Sequence, residues 1–230
     1  MTWKVGILCT MINGFGRKGY YNSQEIGLGR ALARMGAEVF IYKGVSRNEP
    51  ADRAELPEGV TVEYIPMRSF GAHGYLDCNR LNPELAGIFC FGDQQIFLPH
   101  IYRFCKKNGI AFVPYIGTAH SLHSNMRSLV MNTLFALGTL KIYQKHPVIA
   151  KTEAAKEELR MLGVNDVTVA PVGLDTAVLK QNFRDYDRRE LRKKHGLFPE
   201  DVVICNVSRL SPEKRPLELI DIFDSIKEAI

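Results

Sequence analysis

The chain has 230 residues, 46% hydrophobic and 24% charged, with 30 Lys+Arg against 25 Asp+Glu for a formal charge of +5. This balance excludes a disordered or collagen-like chain and supports one sizeable core, or one core and part of another. No apolar run reaches the ~18 residues of a membrane span, and the five cysteines are odd in number and scattered, so disulfides and a zinc cluster are not expected.

Short apolar runs alternate with longer segments of helical period, the pattern of a parallel sheet covered on both faces. Residues 4–10 predict a strand. A helix then runs to about Met35 on a stripe of Ile26, Leu28, Ala31, Leu32 and Met35, and Gly36 stops it. Asn22 and Glu25 have capping-box spacing, which starts this helix after Asn22. Next come a strand at 38–42, a polar loop with Pro50 and Pro57, a strand at 60–65 and an exposed loop over 66–83. A strand at 86–91 stops at Gly92-Asp93, a helix over 94–107 is closed by Gly109, and a strand at 111–116 follows. The pattern repeats with an apolar helix at 126–143, a strand at 147–150, a helix at 153–162 stopped by Gly163 and a strand at 167–170. Over 181–196 the composition turns to charge. Residues 202–207 then again predict a buried strand, followed by a helix from Leu217 to the last residue. The expected class is α/β. Residues 1–178 form a Rossmann-like parallel sheet with helices on both faces, and 179–230 are a linker and the start of a truncated second Rossmann-like domain.

Several motifs sit where such folds place ligands. Gly14, Gly16 and Gly19 spell GxGxxG after the first strand, but the second strand ends at Tyr42-Lys43-Gly44, without the acidic residue of a dinucleotide site. A glycine loop folding over a ligand in a cleft is preferred to a plain turn, because glycine lets backbone approach phosphate or sugar closely. Arg209 and Lys214 flank the turn after the 202–207 strand, and two cations there suit a diphosphate; the alternative is a solvated basic turn before a helix beginning at Pro216. His120 follows the 111–116 strand and the turn Gly117-Thr118, where an imidazole could bond a sugar hydroxyl or assist proton movement. The His120/His123 pair lacks a third ligand nearby. Asp185-Tyr186-Asp187 lies among Arg184, Arg188 and Arg189 and reads as a solvated helix start, so no metal site is expected. The 126–143 helix carries Met126, Leu129, Val130, Leu134, Leu137 and Leu140, with Lys141, Lys145 and His146 at its end. It would suit a membrane surface, but packing between sheet layers is the simpler reading.

Taken together, residues 25–39, 148–163, 167–175 and above all 202–216 (VVICNVSRLSPEKRP) resemble segments of the retaining glycosyltransferases with two facing Rossmann-like domains. This is the glycogen synthase and sucrose synthase type, known as glycosyltransferase family 4, with the GT-B fold. The resemblance implies transfer of a hexose from a UDP- or GDP-linked sugar to a glycan, lipid-linked or other acceptor, with retention of configuration and no further cofactor or metal. It implies that Arg209 and Lys214 hold the donor diphosphate, that Gly16 and Gly19 belong to a loop approaching the donor phosphates, and that His120 touches the transferred sugar. Residues 1–178 would be the acceptor-side domain. The sequence stops before the region where the family carries its two spaced glutamates, so these 230 residues alone are expected to be inactive. The alternatives are a nucleotide-sugar epimerase of the same fold and a non-catalytic module that binds sugar or glycoconjugate. The expected setting is the cytoplasm, with peripheral contact at the inner membrane face, no nucleic-acid partner and an open oligomeric state.

Overall fold

The computed structural model describes residues 3–12, 24–71, 73–119, 126–173, 176, 187–208 and 214–226. The chain divides into two compact units, Met1–Thr176 and Ala177–Ile230.

The first unit runs β1 (Lys4–Cys9), α1 (Gln24–Arg34), β2 (Glu38–Ser46), β3 (Asp52–Leu56), β4 (Val60–Phe70) and β5 (His73–Tyr75), then a 3-10 turn at Cys78–Arg80. It continues with β6 (Gly87–Phe91), α2 (Leu98–Asn108), β7 (Ala111–Ile116), α3 (Met126–Leu137), α4 (Thr139–Tyr143), β8 (Val148–Ala150), α5 (Glu153–Met161) and β9 (Val167–Val169). The sheet order is β3-β4-β2-β1-β6-β7-β8-β9, with β5 paired to β4. From β4 to β9 along this path every pairing is parallel, and β3 and β5 lie antiparallel to β4.

Alternation along the strands supplies two cores. Val5 and Ile7 of β1 join Val39, Ile41, Val60 and Val62 under Ile26 and Leu32 of α1. On the opposite face Leu8, Ile88, Cys90 and Ile116 meet Leu98 and Ile101 of α2, Leu140 and Tyr143 of α4, and Leu159 of α5. Each fully buried aliphatic side chain stabilises this arrangement by roughly 1.5–3 kcal/mol. Gly36 ends α1 with φ +91°, a conformation that costs a residue with a Cβ more than it costs glycine.

Several sequence expectations are corrected. The loop around Pro50 and Pro57 contains β3; the prolines bracket an edge strand, where a missing N–H is tolerated. Residues 66–83 are no exposed loop: β4 extends to Phe70, and Met67, Leu76, Cys78 and Leu81 are buried as the segment folds back under the sheet's carboxyl end. The α2 helix begins at Leu98, four residues late, after a turn in which Gln94 has φ +47°. The 126–143 helix is broken at Gly138, and five of its six named apolar residues point outward, with only Leu140 buried. Met35 is likewise exposed, beyond the end of α1.

The second unit contains α6 (Arg188–Lys194) and α7 (Pro216–Ile226). Asp187 caps α6 by accepting a 2.7 Å hydrogen bond from the Arg189 amide, which fits a solvated helix start. Arg192 Nη1 donates to the carbonyls of Phe198, Pro199 and Asp201 at 2.6, 3.2 and 3.1 Å and holds the following turn. Residues 202–207 form no ladder with any described residue and are exposed, Val207 to 93%. This corrects the expected buried strand. An apolar extended segment becomes a strand only when a neighbour takes up its N–H and C=O groups, and none of the described residues does so.

Candidate functional site

Chain order reverses between β1 and β6: from β1 the chain steps outward to β2 and β4, then crosses back to β6 on the other side. In open parallel sheets, ligands bind outside the carboxyl ends of the strands at such a switch point. There the first unit has a crevice of about 100 Å³ lined by Cys9 and Met11 at the end of β1, Gln24 and Glu25 at the start of α1, Lys43 and Gly44 of β2, Phe91 and Asp93 at the end of β6, and Lys151 after β8.

Two ion pairs face this crevice. Lys43 Nζ lies 2.7 Å from Glu25 Oε1, with both side chains less than 10% exposed. Glu25 is in the first turn of α1, where the helix dipole favours negative charge. Lys151 Nζ lies 3.1 Å from Asp93 Oδ2, while Asp93 Oδ1 accepts from the Gly117 amide. The same ammonium sits 5.2 Å from the ring centroids of Phe91 and Tyr115, close enough for cation–π attraction. Each cation is therefore already neutralised. The crevice offers carboxylate oxygens held in place, suited to accepting hydrogen bonds from hydroxyl groups, and leaves no described cation here for a phosphate.

The surroundings keep these groups in place. Thr10 Oγ1 donates to Gln95 Oε1 at 3.0 Å, Thr139 Oγ1 to the Gln95 carbonyl at 2.8 Å, and Tyr143 OH to the Gly92 carbonyl at 3.3 Å. The Gly74 amide donates to the Thr10 carbonyl at 2.9 Å, bringing β5 onto the end of β1. His73 and Gln95 lie here too, with the Gln95 side chain reaching the His73 imidazole. Burial holds the His73 imidazole below its ordinary pKa, with the Gln95 side chain opposing. Burial likewise pushes the Cys9 thiol far up, Glu25 adding to the shift and Lys43 and Lys151 opposing it. This shift disfavours the thiolate, the form in which Cys9 would act as a nucleophile. A larger depression of about 330 Å³ beside α1 is lined mainly by apolar groups, among them Leu28, Phe89, Tyr115 and Ile149. It has no comparable convergence of charge.

Of the residues singled out from sequence, Gly16, Gly19, His120 and Arg209 lie outside the described residues, as do His123 and Asp185. Lys214 is described: it is exposed, two residues before α7 in the second unit. The charged residues that line the described crevice, Glu25, Lys43, Asp93 and Lys151, are not among the site residues expected from the sequence, which reads Glu25 as part of a helix cap and Lys43 and Asp93 as strand ends. A signal existed for three of them. Lys43, Asp93 and Lys151 are charged residues at the carboxyl ends of otherwise apolar parallel strands.

No protein-family model matches the chain. Two curated relatives are both named D-inositol 3-phosphate glycosyltransferase. The protein from Jonesia denitrificans is 26% identical over 95% of this chain and 58% of its own length. The protein from Actinosynnema mirum is 27% identical over 90% of this chain and 54% of its own. The chain therefore spans little more than half the length of the curated relatives it matches. Among solved structures it is similar to Anabaena HepE in complex with UDP and glucose, with TM-score 0.58, 17% identity, and coverage of 97% of this chain and 58% of that one. It is also similar to sucrose-phosphate synthase from Thermosynechococcus elongatus, with TM-score 0.62, 14% identity, and coverage of 97% and 60%. At these identities the likeness establishes the fold alone, and that fold is the α/β architecture of the GT-B glycosyltransferases.

Proposed function

We propose that the protein carrying this sequence transfers a hexose from a UDP- or GDP-linked sugar to a hydroxyl of a glycan, lipid-linked or other acceptor, with retention of configuration, as a family 4 glycosyltransferase. The observation that carries this reading is the crevice at the β1/β6 switch point, where lysine-pinned carboxylates are set to accept hydrogen bonds. Polyhydroxylated molecules are recognised by such fixed acceptors, because a carboxylate held by Lys151 or Lys43 can bond a hydroxyl without moving. In this reading residues 1–178 form the acceptor side, and Asp93, partly exposed, receives an acceptor hydroxyl. The names of the two relatives make an inositol phosphate the first acceptor to try.

The crevice cations are paired, so the donor diphosphate falls to Arg209 and Lys214, with Gly16 and Gly19 in a loop approaching its phosphates and His120 at the transferred sugar. Charge growing on the departing diphosphate is stabilised by that Arg–Lys pair without a metal. The acceptor hydroxyl attacks from the face the diphosphate leaves, and the leaving oxygen takes its proton. The protein then contributes positioning more than a strong base.

The test is transfer from UDP- and GDP-hexoses to inositol phosphate and simple glycosides, by these 230 residues and by any longer protein that contains them, with the product anomer assigned by proton NMR. Transfer with retained configuration, and loss of that transfer in Asp93→Ala and in Arg209→Ala/Lys214→Ala, is the expected result. Absence of transfer with every donor, or an inverted product, overturns the reading. Turnover by the 230 residues alone overturns the expectation that they are inactive.

A further inference from the structure

The α3 helix is turned inside out relative to an ordinary surface helix. Its inner side is anchored: Phe135 is buried edge-on against Tyr143 with ring centroids 5.9 Å apart, and Asn132 Oδ1 accepts from Gln94 Nε2. Its outer side carries Met126, Leu129, Val130, Leu134 and Leu137, of which Met126, Leu129 and Leu137 are 76%, 60% and 63% exposed. These positions fall within one half of the helical circumference at 100° per residue. Thr133, between them, turns its hydroxyl back to the Leu129 carbonyl at 2.9 Å, so it adds little polarity to that face. The helix interior contains no acidic residue, and its twelve residues span about 18 Å.

Charge says what covers this face. From Gln94 to Thr152 the chain has no Asp or Glu, while it has seven Lys and Arg. Of these, Arg103, Lys106 and Lys107 on α2, Lys141 on α4 and Lys145 just after α4 are exposed. Pro99 of α2 lies against Gly138 at the α3/α4 junction, which brings α2 to the same neighbourhood. An apolar helix face near cations that have no ion pair among the described residues matches an anionic bilayer surface: the apolar side chains enter the headgroup boundary while the cations stay at the lipid phosphates. Among the described residues no helix is long and apolar enough to cross a membrane, so α3 lies along the surface.

We propose that the outer face of α3 docks the protein onto an anionic phospholipid surface through Leu129, Val130, Leu134 and Leu137, with Lys141 and Lys145 as its electrostatic partners. The proposal goes beyond sugar transfer and does not depend on it, since binding can be read with no donor or acceptor present.

The experiment is co-sedimentation of the chain with vesicles of phosphatidylcholine, and of equimolar phosphatidylcholine and phosphatidylglycerol, at low and high salt. Analytical ultracentrifugation without lipid runs alongside. The expected result is binding to the mixed vesicles at least ~10-fold tighter than to the neutral ones and weakened by salt. Leu129→Ser/Leu137→Ser and, separately, Lys141→Gln/Lys145→Gln should each weaken it about tenfold or more with unchanged far-UV circular dichroism. If the serine variant loses structure, the lysine variant and the salt dependence decide. Equal sedimentation with neutral and anionic vesicles, binding indifferent to both variants, or a self-association that the serine variant abolishes would overturn the proposal, the last by making a second copy the occupant.

Discussion

Lys43→Met isolates the energetic consequence of the Glu25–Lys43 pair. The substitution keeps the aliphatic stem and removes the ammonium 2.7 Å from a carboxylate whose side chain is only 9% exposed. Breaking a buried pair from one side costs about 3–5 kcal/mol, because the remaining charge has lost its partner and has no water. Glu25 keeps one source of relief, the amino end of α1, whose dipole returns up to ~2 kcal/mol in partly buried geometry. The lower end, about 3 kcal/mol, is therefore expected. For a unit of this size that corresponds to a fall in Tm of roughly 6–12 °C. Glu25→Gln alone leaves a buried ammonium and should cost a similar amount. The double variant Glu25→Gln/Lys43→Met leaves neither charge and should be clearly more stable than the sum of the single losses predicts. Urea unfolding at pH 7, followed by far-UV circular dichroism and closed as a double-mutant cycle, measures all three. A loss below ~1 kcal/mol for Lys43→Met, or a strictly additive double variant, would refute the claim that these charges depend on each other.

The other predictions read different parts of the first unit. A Cβ on Gly74 would lie 2.5 Å from the Thr10 carbonyl oxygen, so Gly74→Ala should cost about 1–3 kcal/mol in urea melts and detach β5 from β1. Burial raises the thiols of Cys9, Cys90, Cys105 (to about 12) and Cys78 (to about 11), whereas Cys205 is exposed. Mass spectrometry after iodoacetamide treatment at pH 8.5 should therefore show a single native adduct, on Cys205, and adducts on all five cysteines only in denaturant. The His73 pKa is lowered by burial, so the unfolded chain binds its proton more readily. The stability this residue contributes is whole above its ordinary pKa near 6.5 and declines as pH falls below that. Comparing Tm at pH 7.5 and 5 should show a smaller acid loss in His73→Gln than in wild type, and an equal loss would assign the acid sensitivity elsewhere. The Thr152 hydroxyl caps α5 by accepting from the Ala155 amide at 3.0 Å, so Thr152→Ala should cost about 1 kcal/mol in the same melts.

The alternation of short apolar runs with helical periods was enough to read the parallel strands and most of the crossing helices, because burial on both faces writes a continuous apolar run into each central strand. It missed β3 and β5. Both are edge elements whose residues alternate weakly, and their pairing is decided by β4 rather than by their own propensity. The same argument explains 202–207. Its apolar composition reads as a buried strand, yet burial needs a partner, and composition cannot supply one.

The candidate site divides along similar lines. Lys43, Asp93 and Lys151 are visible in the sequence as charges ending apolar strands, but three separate stretches of chain contain them, and only the strand order β2-β1-β6-β7-β8 carries those ends to one crevice. That Lys43 pairs with Glu25 while Lys151 pairs with Asp93 follows from the crossing of α1 and the depth of each ammonium, which periodicity does not encode. The α3 helix shows the limit from the other side. Its apolar stripe is plain in the letters, and a helical period says that such a stripe shares a face, without saying which way the face points. Whether those leucines enter the core or meet solvent was decided by Phe135 and Asn132 locking the opposite side inward. The sequence by itself thus determined which residues lie together on each element, because that is local geometry. The tertiary structure alone determined what each face meets, because contact depends on neighbours distant in the chain.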